Sequence, residues 1–362
     1  MTTHKAQTLF GLLVSWFMEK ERVTVVDVSN IQSSPVSVKT RITDKMFQFI
    51  RAIRLKLYLL IMHRYQKELE QKHHGQRDSF EILKQDFEGN YAKLKKHSIT
   101  RFITPLWNGY NTTLEKILLP YPPFSFLQQP LFMKAYFATR GGQWMKEELY
   151  FLEKHVSHKK LVKLLAEDYV GEPLILNDIY RTSHHSIHLL HHLIKFKVST
   201  NVDLNSIDCI VEWGGGYGNM AKLISRLIQK PVTYIIYDLP LISCLQWIYL
   251  ESIVGKKHVR LHLSPRDTIK KGAINIIPIC FLDSHNVSAD VFISTWTLSE
   301  SSVFSQNYVL KRKWFDAKHL LIGYHENTPT LPASEHVAAI AKQSGAKIET
   351  IDFVPGNFYA FK

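Results

Sequence analysis

The chain has 362 residues, of which 45% are hydrophobic and 21% are charged, which are the proportions of an ordinary soluble globular protein. They exclude a disordered, collagen-like or disulfide-rich chain. The apolar segment Leu9–Met18 is shorter than the ~18 residues of a membrane span, and Glu19–Arg22 follows it in place of a cleavage site. We therefore expect neither a signal peptide nor a membrane span.

The net charge of +13 is concentrated in residues 1–200, with 29 Lys+Arg against 18 Asp+Glu, whereas residues 201–362 hold 16 and 14. A basic first half can face nucleic acid, anionic lipid or an anionic sugar substrate. No segment interleaves aromatic and basic residues as RNA-binding modules do, so nucleic acid is the less favoured partner. The isolated Cys209, Cys244 and Cys280 predict reduced core residues in a cytoplasmic protein.

Residues 1–200 are predicted to be mostly helical. Apolar residues recur at helical spacing from Asp44 to Ile61 and again after Glu147, and proline-rich connections at 104–107 and 119–124 end helices. We interpret this region as a cap over the substrate and a possible surface for homo-oligomer formation. Residues 201–362 are predicted to form the second unit.

Five histidines lie between His184 and His192. His184, His188 and His192 are spaced four residues apart, so they share a helix face and could bind a metal ion. No carboxylate lies among them in the sequence and no HExxH pattern is present. We interpret them as polar residues of a helix and predict no metal site.

From residue 207 onward, apolar strand-like runs alternate with helical segments, which predicts a parallel sheet with crossover helices. The strands are predicted to begin at Cys209, Val232, Ala273, Asp290 and His319. Two further strands, Lys347–Phe353 and Phe358–Phe361, flank a Pro-Gly-Asn turn and predict a terminal antiparallel hairpin. Five parallel strands and such a hairpin are the layout of class I S-adenosylmethionine (SAM)-dependent methyltransferases, a doubly wound α/β fold.

A glycine-rich turn follows the first strand and has the form Glu-x-Gly-x-Gly-x-Gly. A dinucleotide fingerprint would have its third glycine at Asn219, so the spacing favours SAM over NAD. The carboxylate of Glu212 suits the cationic groups of SAM, and Asp238 at the end of the second strand can accept hydrogen bonds from ribose hydroxyls. We expect SAM to contact Glu212, Gly214, Gly215, Gly216, Gly218, Asp238, Leu239, Asp283 and Thr295.

Together, the glycine turn and the segments Tyr237–Pro240, Gln246–Leu250 and Ser294–Glu300 resemble the bacterial sugar O-methyltransferases associated with surface-polysaccharide gene clusters. The resemblance covers roughly residues 100–362. It implies methyl transfer from SAM to a sugar hydroxyl during glycan synthesis, with a neutral or anionic sugar or glycan as substrate.

Methyl transfer to a hydroxyl requires either a base that removes its proton or a divalent metal ion. Candidates should follow the fourth and fifth strands, where Glu300 and His325 lie, and the loop after the third strand, where His285 lies. We rank His325 first, then Glu300, then His285.

Other functions stay open at this point. A nicotinamide-dependent oxidoreductase could use the same sheet, although Asn219 and the terminal hairpin argue against it. A non-catalytic nucleoside-binding scaffold and an RNA methyltransferase are further alternatives.

Overall fold

The computed structural model describes residues 60–61, 63–136 and 142–362. The apolar segment Leu9–Met18 and most of the helix predicted from Asp44 lie outside the described residues. Within the described part, no helix has both the length and the apolar character that crossing a membrane requires.

Helices dominate the described part of the first 200 residues, as predicted. Pro105 opens one of them, where its missing N–H costs no hydrogen bond. They are α1 (63–72), α2 (Gln76–Leu83), α3 (Phe87–Lys95), α4 (Pro105–Leu118), α5 (Pro130–Tyr136), α6 (Gly142–His155), α7 (His158–Leu165) and α8 (His184–Thr200).

The rest of the chain forms one mixed sheet in the order β3-β4-β2-β1-β5-β6-β8-β7. Strands β1 to β6 pair in parallel, and β8 runs antiparallel to both β6 and β7. The strands are β1 (Cys209–Trp213), β2 (Thr233–Asp238), β3 (Val259–Leu261), β4 (Ile274–Pro278), β5 (Val291–Thr295), β6 (His319–His325), β7 (Lys347–Thr350) and β8 (Asn357–Phe361).

This order confirms the predicted class I methyltransferase fold, including the terminal hairpin. The edge strand β3 was not predicted, because three residues after a basic segment are too short to show a hydrophobic pattern. Crossover helices cover the sheet, which explains why the residues of the central strands are buried and mostly apolar. They include α9 (Asn219–Leu227), α10 (Pro240–Val254), α11 (Thr297–Glu300), α12 (Val303–Lys311) and α13 (His336–Gln343).

A buried ion pair joins the helical region to the sheet. The Lys222 ammonium on α9 donates to Oε2 of Glu167 at 2.9 Å, and both side chains are at most 2% exposed. Glu167 also accepts hydrogen bonds from the Ser183 hydroxyl at 2.6 Å and the Ser183 N–H at 3.1 Å. Burial opposes ionisation of Glu167, but Lys222 and the serine hydroxyls more than offset it and lower its pKa to about 2. The hydrophobic core is likewise continuous from Leu69 to Phe361 and crosses the predicted boundary at residue 200, which stays a prediction.

Candidate active site

The glycine turn brings the chain sharply from β1 into α9. Gly214 and Gly218 have φ angles of 76° and 101°, which glycine adopts without the steric cost that other residues meet. A Cβ atom on Gly214 would overlap the side chain of Thr297. The Gly214 N–H donates to the carbonyl of Tyr237 at 2.8 Å, so the turn is fixed against the end of β2.

Glu212, in β1, is buried beside this turn. Its Oε2 accepts a hydrogen bond from the Tyr234 hydroxyl at 2.9 Å. Burial raises the pKa of Glu212 to about 8, and the hydrogen bond from Tyr234 offsets only part of that effect. A cationic ligand group beside Glu212 would favour its ionised form.

Asp238 closes β2 next to the glycine turn. Its carboxylate accepts the Leu239 N–H at 2.7 Å and an N–H of Gln246 at 2.7 Å. Burial raises its pKa to about 7, and these bonds and the N–H groups of Gly215 and Gly216 work in the opposite direction. The structure therefore places a carboxylate, already oriented by these hydrogen bonds, where a nucleoside cofactor would put its ribose.

A cavity of about 490 Å³ opens at the carboxyl ends of β1, β2 and β5. This is a usual volume for a small-molecule site. Seven of the nine residues predicted to bind the cofactor line it: Glu212, Gly214, Gly215, Gly216, Asp238, Leu239 and Thr295.

The other two predicted residues lie elsewhere. Gly218 caps α9 next to the cavity and is not among its lining residues. Asp283 lies on the surface, where it accepts a hydrogen bond from the Tyr308 hydroxyl at 2.6 Å and faces Arg101 at 3.6 Å. The chain turns into a 3-10 helix directly after β4, and this turn carries Asp283 away from the cavity.

Helices of the first 200 residues close the cavity over the sheet. Their contribution is mostly apolar and aromatic, with one lysine and two histidines: Leu106, Trp107, Tyr110, Leu114, Leu131, Phe132, Lys134, Ala135, Trp144, His185, His188 and Leu189. The cavity is thus shared between the sheet and the helical region.

The structure brings two of the three predicted bases together. Glu300 lines the cavity and accepts a hydrogen bond from Trp107 Nε1 at 3.0 Å. His325 Nε2 lies 3.7 Å from Glu300 Oε1, and His325 Nδ1 lies 2.7 Å from the Glu326 carbonyl. Glu300 raises the pKa of His325 more than burial lowers it, which favours a protonated ring. His325 itself is not among the lining residues.

His285 lies outside the cavity, at the β3–β4 edge of the sheet. Its Nε2 lies 2.6 Å from the Asp267 carbonyl, and its ring packs against His262 with centroids 4.9 Å apart. The 3-10 helix that carries Asp283 away from the cavity also carries His285 away.

A cluster that the sequence did not predict borders the same cavity. Glu148 on α6 is fully buried and lies between two histidines of α8, contacting His188 Nδ1 and lying 3.0 Å from His184 Nε2. Burial opposes ionisation of Glu148, but His188 and His184 hold its pKa well below the usual range. The sequence separations of 36 and 40 residues hid this contact. Ligand-type atoms of the three residues lie within 4.8 Å of one another, so the predicted absence of a metal site stays a prediction.

Trp296 packs against this cluster. Its ring stacks on His188, with centroids 5.4 Å apart and planes 26° apart. Its Nε1 donates to Oδ1 of Asn357 on β8 at 2.6 Å. Trp296 has a φ of 66°, a backbone conformation that costs about 1–3 kcal/mol in a residue of this kind and is often found at functional sites.

Neither a protein-family model nor the sequence of a curated protein matches this chain. Solved structures similar to it include the pyocyanin biosynthetic protein PhzM, with 11% identity over 48% of this chain and a TM-score of 0.31. The chain spans 56% of the length of that protein. The mitomycin 7-O-methyltransferase MmcR has 14% identity over 68% of this chain and 74% of its own, with a TM-score of 0.34. Human N-acetylserotonin methyltransferase in complex with SAM has 14% identity over 68% of this chain and 73% of its own, with a TM-score of 0.30.

Proposed function

We propose that this chain is a SAM-dependent O-methyltransferase that transfers a methyl group to a sugar hydroxyl in surface-polysaccharide or glycan biosynthesis. One observation carries the proposal. Glu212, the glycine turn and Asp238 line a single cavity at the carboxyl ends of β1 and β2, in a sheet with class I methyltransferase topology.

The carboxylates support SAM as the cofactor. The Asp238 carboxylate can accept hydrogen bonds from both ribose hydroxyls, and Glu212 can offset the positive charge of the sulfonium or amino group. Asn219 stands where a dinucleotide fingerprint has its third glycine, and its buried amide donates to the Ser186 hydroxyl on α8 at 3.1 Å. A side chain in that position favours SAM over a dinucleotide.

Aromatic side chains support a ring-shaped acceptor. Trp107, Tyr110, Trp144 and Trp296 line the cavity. Indole and phenol rings stack on the apolar face of a sugar, and Asn357 and Lys134 add a polar and a positive group to the lining of the cavity. Lys134 also suits an acceptor with a phosphate or uronate group.

Ligand-induced thermal shifts test the cofactor. A saturating ligand stabilises the folded protein by about 2.7 kcal/mol at a concentration of 100 Kd. SAM and S-adenosylhomocysteine should therefore raise the Tm by several degrees, whereas NAD should not. Asp238→Ala should lose the shift and Asp283→Ala should keep it, because only Asp238 lines the cavity. Stabilisation by NAD alone would instead favour a nicotinamide-dependent enzyme.

Transfer of labelled methyl from SAM to a panel of UDP-, GDP- and dTDP-linked sugars and glycan fragments tests the acceptor. We expect label in at least one sugar and none in RNA. Labelling of RNA or of a non-sugar phenol would support methyltransferase activity but would refute a sugar as the acceptor.

A further inference from the structure

We propose that His188 is the general base of methyl transfer and that the buried Glu148 holds its imidazole in position. The inference rests on the proposed function and assigns the proton acceptor within the same cavity. Glu148 acts through His188, so it is a positioning residue, while His188 is the residue that would meet the acceptor hydroxyl.

The hydrogen bonds fix the orientation of the ring. Nδ1 of His188 contacts Oε1 of Glu148, and Nε2 of His184 lies 3.0 Å from Oε2 of the same carboxylate. A carboxylate accepts from the Nδ1–H group, which leaves the lone pair on Nε2. Among the described residues, no hydrogen bond to the Nε2 atom of His188 is found. The nitrogen that can take a proton is therefore the one not facing Glu148.

The position of His188 suits this role. Its side chain is 23% exposed and lines the cavity, whereas Glu148 and His184 are almost completely buried behind it. His185, three residues earlier on α8, lies 3.0 Å from the hydroxyl of Tyr217 in the glycine turn. Three helical residues span about 4.5 Å along the helix axis, so His188 lies roughly one helical turn farther along α8 than the residue that contacts the glycine turn.

The predicted bases fit the role less well. Glu300 already accepts a hydrogen bond from Trp107 and lies 3.7 Å from His325, and His325 is not among the residues that line the cavity. The Glu300–His325 pair instead suits binding, because it contributes a fixed acceptor at the cavity wall.

The proposed step balances as follows. Nε2 of His188 takes the proton of the acceptor hydroxyl while the hydroxyl oxygen forms a bond to the methyl carbon. The sulfur–methyl bond breaks and its electron pair stays on sulfur, giving neutral S-adenosylhomocysteine. Glu148 offsets the positive charge of the imidazolium, which returns its proton to water when the products leave.

A divalent cation is the rival occupant of this cluster, because atoms of Glu148, His184 and His188 lie within 4.8 Å of one another. The geometry favours His188 as a general base over His188 as a metal ligand. An ion among these atoms would bind Nδ1 of His188, on the side of the ring that faces buried Glu148. It would therefore lie behind the ring and away from an acceptor in the cavity.

Two variants and a matched control test the proposal with any sugar that the wild-type protein methylates. His188→Asn keeps a donor toward Glu148 and removes the base, so kcat should fall at least 100-fold while the thermal shift with SAM stays. Glu148→Gln should lower kcat about tenfold while the thermal shift with SAM stays, because the imidazole loses the carboxylate that orients it. Glu147→Gln, the same change at the exposed neighbour, should alter neither kcat nor the thermal shift with SAM.

A readout without acceptor separates this inference from the proposed function. In the full-length protein with ¹⁵N-labelled histidine, the signal that His188→Asn removes should show a proton on Nδ1 and none on Nε2 near neutral pH. Three results would overturn the assignment of His188 as the general base. They are a proton on Nε2, full kcat in His188→Asn, and activity that is lost to EDTA and restored by one equivalent of metal. Failure of the wild-type protein to bind SAM would refute the proposed function and leave the tautomer result standing.

Discussion

Gln246 donates from its amide nitrogen to two acceptors, Oδ2 of Asp238 at 2.7 Å and the carbonyl of Gly216 at 2.8 Å. One buried side chain of α10 thereby fixes the acidic end of β2 relative to the glycine turn. These are the two parts of the site that a nucleoside cofactor would contact, so Gln246 sets the distance between them.

Gln246→Leu should weaken SAM binding about tenfold, because losing a hydrogen bond to a buried charged group costs about 1–3 kcal/mol. Isothermal titration calorimetry measures the Kd. Gln343→Leu makes the same substitution at an exposed residue of α13 and should leave the Kd unchanged. Equal affinities in the two variants would show that Gln246 does not position Asp238.

Glu212→Gln should flatten the pH dependence of stability. The folded protein keeps a proton on Glu212 up to about pH 8, whereas the unfolded chain loses it near the ordinary pKa of 4.5. The folded state binds more protons across that window, so the unfolding free energy falls as pH rises, by up to about 1.4 kcal/mol per pH unit for one proton. Urea unfolding between pH 5 and 8 measures the slope. Glu88→Gln, on the exposed side of α3, should keep the wild-type slope.

Gly214→Ala should destabilise the protein by more than about 2 kcal/mol and abolish the thermal shift with SAM. The new Cβ would overlap Thr297, and φ of 76° disfavours any side chain. Gly89→Ala, in the interior of α3 with no atom within 4 Å of the added Cβ, should instead stabilise by about 0.5–1 kcal/mol. Thermal unfolding measures both, and a Gly214→Ala protein as stable as wild type would contradict the expectation.

Glu167→Gln should cost about 3–5 kcal/mol, because the ammonium of Lys222 would stay buried without its carboxylate. The matched change Asp208→Asn removes the partner of Lys230 in a surface pair whose side chains are 36% and 82% exposed, and should change stability by less than about 1 kcal/mol. Denaturant unfolding compares the two. A small effect at Glu167 would mean that water or Asp168 compensates Lys222.

The sequence was a good guide to the sheet because each strand has its own local pattern. The runs that became β1, β2, β4, β5 and β6 are mostly apolar, and Glu212 and Asp238 follow from their places at or near the ends of the first two of these strands. The predictions after β4 were weaker, because the distance between Pro278 and His285 in the sequence does not reveal the direction of a 3-10 helix.

The cluster around Glu148 could not be predicted from a local sequence pattern, because its members are far apart in the chain. His184 and His188 were recognised as neighbours on one helix face, but their carboxylate comes from α6 and meets them only when two helices pack. A search of the sequence for acidic residues near the histidines therefore fails.

The ion pair between Lys222 and Glu167 makes the sheet region and the helical region depend on each other. Lys222 belongs to the helix that follows the glycine turn, and its counter-charge comes from the connection that leads into α8. A fragment beginning at residue 201 would lack Glu167, so the Lys222 ammonium would lose its counter-charge. The helices of the first 200 residues therefore cannot be exchanged for those of another protein with this fold unless position 222 is changed with them.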